Sequence, residues 1–170
     1  ELKTAGLISG NPVLYVANIA GEGDEGGVSA LVEGEPDNRL LTVDAELELE
    51  LAELEPNERA EFMNVLGLTE TGLDRVVKAS FDLLGLVAFY TIAKRKLQAW
   101  EIPRSTPAAT AAGKVHSDME KGFIRAKVAS ADELIETGDL REVQSRGHVR
   151  TVGRDHEIRD GDVVEFIFNV

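Results

Sequence analysis

Hydrophobic and polar positions along this chain change period several times. Val13-Leu14-Tyr15-Val16-Ala17 is a continuous apolar run opened by Asn11-Pro12. It reads as a strand buried on both faces, of the parallel kind. Leu40-Leu41-Thr42-Val43 predicts a second short strand, and Val28 to Asn38 between them is weakly patterned and reads as loop. Glu46-Leu47-Glu48-Leu49-Glu50-Leu51 alternates strictly, which alone predicts a strand. Its continuation through Ala52-Glu53-Leu54 favours a helix. Pro56 starts another helix, to about Leu66, and Gly67 ends it. A third helix follows Thr71-Gly72. Leu73, Val76, Val77, Phe81 and Leu84 form its apolar stripe, and Gly85 stops it. Leu86 to Thr91 is a strand or extended link.

The second half alternates more often. Leu97 to Ile102 is a strand closed by Pro103, and Thr106 to Gly113 is small-residue-rich, with at most a short helix. Glu120-Lys121-Gly122 reads as a turn in which glycine supplies backbone freedom. The strand after it puts Ile124, Ala126 and Val128 on an apolar face, and Phe123, Arg125 and Lys127 on the other. Ser130-Ala131-Asp132-Glu133 spells a capping box, opening a short helix with Leu134 and Ile135 inward. Leu140 to Ser145 is a further helical piece. Val149–Val152 and Asp155–Ile158 read as short strands, and Val163–Val170 closes the chain.

Composition narrows the classes. With 170 residues and 43% hydrophobic content the chain can bury one core or two small ones. The absence of cysteine excludes disulfides, thiolate metal sites and a cysteine nucleophile, and suits a cytoplasmic protein. No apolar run approaches the ~20 residues of a membrane helix, so no membrane association is expected. No signal peptide is seen, and Glu1 in place of Met points to a missing upstream part. The net charge is −13, but residues 1–93 hold 5 Lys/Arg against 18 Asp/Glu, whereas residues 94–170 hold 13 of each. The break near Lys94 is the expected domain boundary. An acidic first half repels phosphate, and a neutral second half can still carry a basic patch.

Motifs of chemistry are few. Gly21-Glu22-Gly23-Asp24-Glu25-Gly26 spells G-x-G-x-x-G after a strand, but its three carboxylates would face a pyrophosphate, so it reads as an acidic loop. The nearest approach to a Walker A loop ends in Gly113-Lys114-Val115, with Ala108 in place of the first glycine and Val115 in place of the magnesium-binding hydroxyl. Gly113-Lys114 is expected to be a turn. His116, His148 and His156 lack metal-ligand spacing. No catalytic residue and no metal ligand can be assigned.

One resemblance is specific. Ala111-Ala112-Gly113, His116-Ser117-Asp118, Lys121-Gly122-Phe123-Ile124-Arg125-Ala126 and Asp160-Gly161-Asp162-Val163-Val164 occur in order between Trp100 and the end Phe168-Asn169-Val170. This run resembles the C-terminal TGS domain of the YchF family of Obg-like P-loop ATPases, and residues 45–93 resemble the segment ahead of it. The resemblance also favours a helix after Asp44. It implies an α/β plus α+β fold: the remnant of a P-loop NTPase parallel sheet with helices over 1–93, then a β-grasp TGS domain over 94–170. In the family a strand of this kind ends in Asn-x-x-Glu, which reads the nucleotide base. Asn18 matches, but Gly21 holds the Glu position, with Glu22 one residue late. By resemblance Asn18, Ile19 and Ala45 contact the base of ATP or GTP, which the full-length family binds with magnesium. No cofactor is expected for this chain alone.

Three functions follow. In the first, the TGS domain binds RNA or the ribosome through Lys121, Phe123, Arg125 and Lys127. Cations would neutralise phosphates and an exposed ring would stack on a base. His116 is either a further RNA contact or a structural hydrogen-bonding residue. In the second, the chain is part of an ATP or GTP hydrolase whose P-loop lies upstream. In the third, it is a diverged protein-binding fragment without nucleotide function.

Overall fold

The computed structural model describes residues 11–19, 39–93 and 96–169. The acidic glycine loop and the weakly patterned stretch before Asn38 lie outside them. Two compact units divide between Leu84 and Gly85.

In the first unit, β1 (Leu14–Asn18) lies parallel to β2 (Arg39–Val43), in register from Leu14 opposite Arg39 to Asn18 opposite Val43. The apolar run was expected to be buried on both faces. Val16 is instead 50% exposed: among the described residues this sheet has two strands, and Val16 faces an open cleft rather than a packed core. α1 (Ala45–Glu53) follows directly. The strict Glu/Leu alternation is a helix here. Asp44 caps it, accepting from the amides of Glu46 and Leu47, and only Leu51 of its leucines is buried. α2 (Pro56–Val65) carries a capping box between Glu55 and Glu58, with Pro56 in its first turn. Arg59 of α2 donates from Nε to the carbonyl of Leu51 at 2.7 Å, closing the end of α1.

α3 (Gly72–Leu84) starts against Glu48 of α1, whose carboxylate accepts from the amides of Gly72 and Leu73 at 2.5 and 3.2 Å. The acidic face of α1 therefore supplies the anion that a helix start favours. Just ahead, Thr71 donates its hydroxyl to Asp74 at 2.8 Å, and this bond holds the Asp74 carboxyl below its ordinary range. This cap therefore contributes above the carboxylate range and weakens as pH falls through it.

The second unit is a five-stranded mixed sheet in the order β4-β3-β7-β5-β6. β3 (Leu86–Ala93) pairs antiparallel with β4 (Lys96–Pro103) along its whole length, and β7 (Asp162–Phe168) lies parallel to β3. β5 (Phe123–Ser130) is antiparallel to β7 and to the short β6 (Arg150–Val152). α4 (Ala108–Val115) covers one face. Its Ala108, Ala109, Ala111 and Ala112 are buried against Val87, Phe89, Ile102, Val128 and Val164. Small side chains let this helix sit close to the sheet. α5 (Ser117–Lys121), α6 (Ala131–Thr137) and α7 (Leu140–Ser145) complete the unit.

Five expectations are corrected. The boundary falls ahead of Lys94, because β3 belongs to the second sheet; residues 85–93 carry no charged side chain, so charge could not place it. Gly113-Lys114 lies inside α4, not in a turn, and the flexible carboxylate of Glu120 rests against Gly113, where a Cβ would be. Glu120-Lys121 belongs to α5, and Gly122 after it has φ −88°, so it serves close approach rather than backbone freedom. Ile135 is 79% exposed rather than inward. Asp155–Ile158 is not a strand; only Glu157 makes a bridge, to Pro107.

Asp160-Gly161-Asp162 proves to be a fastening loop. The Asp160 carboxylate accepts from Ala88 N at 2.8 Å, Gly161 N donates to the Ala88 carbonyl, and the Gly161 carbonyl accepts from Ala131 N. One turn thus ties β3, β7 and the start of α6. After β4, Ser105 sits at φ +64°, where L side chains are crowded. Ser105→Gly is expected to stabilise the second unit by about 0.5–1 kcal/mol, the strain relieved less the entropy of glycine. A thermal midpoint that stays put or falls would contradict this.

Candidate functional site

The residues read as base contacts come together. β1 and β2 end side by side, and Ile19 N donates to the Val43 carbonyl at 2.9 Å. Asn18 accepts from Ala45 N through Oδ1 at 3.0 Å. Its amide oxygen therefore orders the Asp44-Ala45 turn, while its NH₂ makes no hydrogen bond among the described residues. Strand ends of a parallel sheet are where α/β proteins gather ligands. A cleft of about 590 Å³ opens nearby, lined mainly by apolar groups including Val16, Val43, Ala45, Leu51 and Gly72. Asn18 and Ile19 do not line it, so cleft and base contacts share only Ala45.

The second candidate surface is rearranged relative to the simple alternation. A register irregularity lies between Phe123 and Arg125: Phe123 faces Phe168, and Arg125 faces Ile167. The extra residue is Ile124, which is 57% exposed. Phe123 consequently turns inward. It is 8% exposed and meets Phe166 edge-on at 6.3 Å. A ring so placed cannot stack on a base, and that part of the expectation is overturned. Lys127 is spent in an ion pair with Glu165 across the sheet at 3.0 Å. Lys121 and Arg125 are exposed and have no ion-pair partner among the described residues. His116 caps α5, its Nδ1 accepting from Asp118 N at 3.2 Å. Lys114 pairs with Glu101 at 3.3 Å.

One cation escaped the sequence reading. Arg154, in the loop after β6, places its guanidinium 5.7 Å from the centre of the Phe123 ring. Nothing in spacing or motif marks it, since the stacking depends on the irregularity in β5. Among the described residues no three His, Cys, Asp or Glu side chains are grouped to hold a metal.

Residues 86–169 match the YchF-GTPase_C family model, described as a protein of unknown function (DUF933). A relative from Bacillus subtilis (strain 168), named Ribosome-binding ATPase YchF, is 36% identical over 177 residues, covering 99% of this chain and 48% of the relative. Its namesake from Escherichia coli O157:H7 is 39% identical over 166 residues, covering 94% and 45%. The chain belongs to the YchF family. It spans about half the length of the curated relatives it matches. The solved Schizosaccharomyces pombe YchF GTPase aligns at TM-score 0.78 and 19% identity over 98% of this chain and 46% of that one. A GTP binding protein from Pyrococcus horikoshii OT3 aligns at TM-score 0.60 and 23% identity, covering 93% and 46%. These two likenesses concern the fold alone. The mixed α/β architecture is shared with the solved Schizosaccharomyces pombe YchF GTPase.

Proposed function

We propose that this YchF-family chain contacts ribosomal RNA through its second unit, Gly85–Val170, a β-grasp module of the TGS type. The observation that carries the reading is the pair Lys121, at the end of α5, and Arg125, near the start of β5, two exposed cations without ion-pair partners among the described residues. They lie in the segment matched by the family model, and the relatives are named for ribosome binding. A sheet covered on one face by α4 agrees with a β-grasp layout. A ribosome-contacting role places the protein in the cytoplasm. No described helix is long and apolar enough to cross a membrane.

The first unit is read as the base-contacting end of a P-loop nucleotide domain, with Asn18, Ile19 and Ala45 beside the base. Phosphoryl transfer needs backbone amides and a lysine around the phosphates, and a hydroxyl on magnesium. The sequence spells no loop of that kind. The chain by itself is therefore expected not to turn over ATP or GTP with magnesium. Phosphate release above a heat-denatured control, or micromolar nucleotide binding by calorimetric titration, would contradict this.

For RNA, the double change Lys121→Ala/Arg125→Ala is expected to weaken binding. It should also flatten the log–log salt dependence by about 0.7 for each phosphate of a single strand that is no longer neutralised. Lys127→Ala should change little, since Glu165 already neutralises it. Filter binding to ribosomal RNA across a salt series decides. An unchanged slope in the double variant would remove these two residues from the interface.

A further inference from the structure

The RNA reading leaves open what feature of RNA is recognised, and the start of β5 answers it. β6 pairs only with Ala126, Lys127 and Val128, so residues 123–125 form an uncovered stretch of sheet edge. Phe123 points to the α4 face, with Arg154 over its ring; Arg125 stands opposite Ile167 and so points to the other face. Lys121 precedes the same strand by one glycine, and all three cations are exposed.

Arg154 is held in place on several sides. Its own carbonyl accepts from Ala109 N at 3.2 Å, and the His156 carbonyl accepts from Ala108 N at 2.7 Å. The loop backbone is thereby pinned to the first turn of α4, while the guanidinium rests on the ring. None of the three cations has an ion-pair partner among the described residues, and Glu120, the nearest acid in sequence to Lys121, lies against Gly113 instead.

We propose that Arg154 and Arg125 grip the phosphodiester backbone of RNA from the two faces of this edge, with Lys121 beside them, and that the site reads charge and shape rather than base identity. The proposal rests on the RNA reading above. It follows from two facts together. Arg154 is pre-placed and all three cations lack an ion-pair partner among the described residues, and the aromatic ring that could have read a base is buried beneath Arg154. Backbone contacts fix position but carry no sequence information.

The test uses the full chain and labelled single-stranded oligouridylate, oligocytidylate and oligoadenylate of equal length, titrated across a salt series. The wild type is expected to bind all three within about threefold of one another, with a shared salt slope. Arg154→Gln should lower the affinity for all three alike and flatten the slope by about 0.7. Arg154→Lys, which keeps the charge and the cation–ring contact, should retain most of the slope. If Arg154→Gln leaves slope and affinity unchanged while the Lys121/Arg125 double variant loses both, the grip falls and the RNA reading stands. If the wild type prefers one base tenfold or more, the claim of base-independent reading is overturned. If the wild type binds none of the three and no ribosomal RNA, both readings fall.

Discussion

Phe123→Ala is expected to destabilise the second unit by about 3–5 kcal/mol, the cost of emptying a buried aromatic site. The ring is almost fully enclosed, packs on Phe166 and supports the guanidinium of Arg154. Phe166 in turn meets Phe89, which is fully buried, so the substitution opens a cavity inside an aromatic cluster. Denaturant unfolding followed by tryptophan fluorescence measures the effect, since Trp100 packs against the same core. Reduced RNA binding by this variant would follow from unfolding alone. Phe123→Leu separates the two explanations, because it keeps an apolar filling and removes the aromatic face. It should fold, at a cost of about 1–1.5 kcal/mol, and lose no more RNA binding than Arg154→Gln does, since the ring also supports that guanidinium. A folded Leu variant that binds more weakly than Arg154→Gln would restore the stacking role that burial argues against.

Gly122→Ala should cost about 3 kcal/mol, the upper part of the range for overpacking. A Cβ there would overlap the carbonyl oxygen of Asn169 and lie 2.9 Å from its carbon. These are backbone atoms, which cannot rotate away. Asn169 N also donates to the Gly122 carbonyl at 2.9 Å, so moving one strand end breaks the bond that joins it to the other. The backbone at Gly122 is unstrained for alanine, with φ −88°, so steric overlap accounts for the whole expected loss. Hydrogen exchange should show reduced protection at Phe168 and Asn169 before the rest of the sheet. A loss under about 1 kcal/mol would mean that the chain end moves aside freely, and the close approach would then have no structural weight.

These two residues also mark where the sequence stops being legible. Elements defined by local chemistry could be read directly: α2 from Pro56 to Gly67, α3 from its stripe and Gly85, and α6 from Ser130, which accepts from Asp132 N. The meeting of Asn18 with Ala45 was legible through the family resemblance. The strict alternation of α1 was ambiguous, and Asp44 at its start resolves it, because a cap that accepts two amides favours the helix. What stayed hidden depends on the partner strand. Whether Phe123 faces inward is decided by the irregularity opposite β7, which no pattern within β5 records. Gly113 and Gly122 look like turn glycines in sequence, yet Gly113 lies within a helix against the Glu120 side chain, and Gly122 is small because the backbone of Asn169 presses on it. The pairing of Lys127 with Glu165 joins residues far apart in the chain, so the neutralised cation and the available ones looked alike. Arg154 acquires its place only once the ring beneath it is fixed.

The central claim is that exposed cations at the start of β5 attach this chain to the ribosome. Co-sedimentation of the full 170-residue chain with purified ribosomes over a salt series tests it most directly. Wild-type protein should pellet at low salt and be released steeply as salt rises, while a folded Lys121→Glu/Arg125→Glu variant should remain in the supernatant throughout. Equal pelleting of both proteins, or no pelleting of the wild type at low salt, would contradict the account.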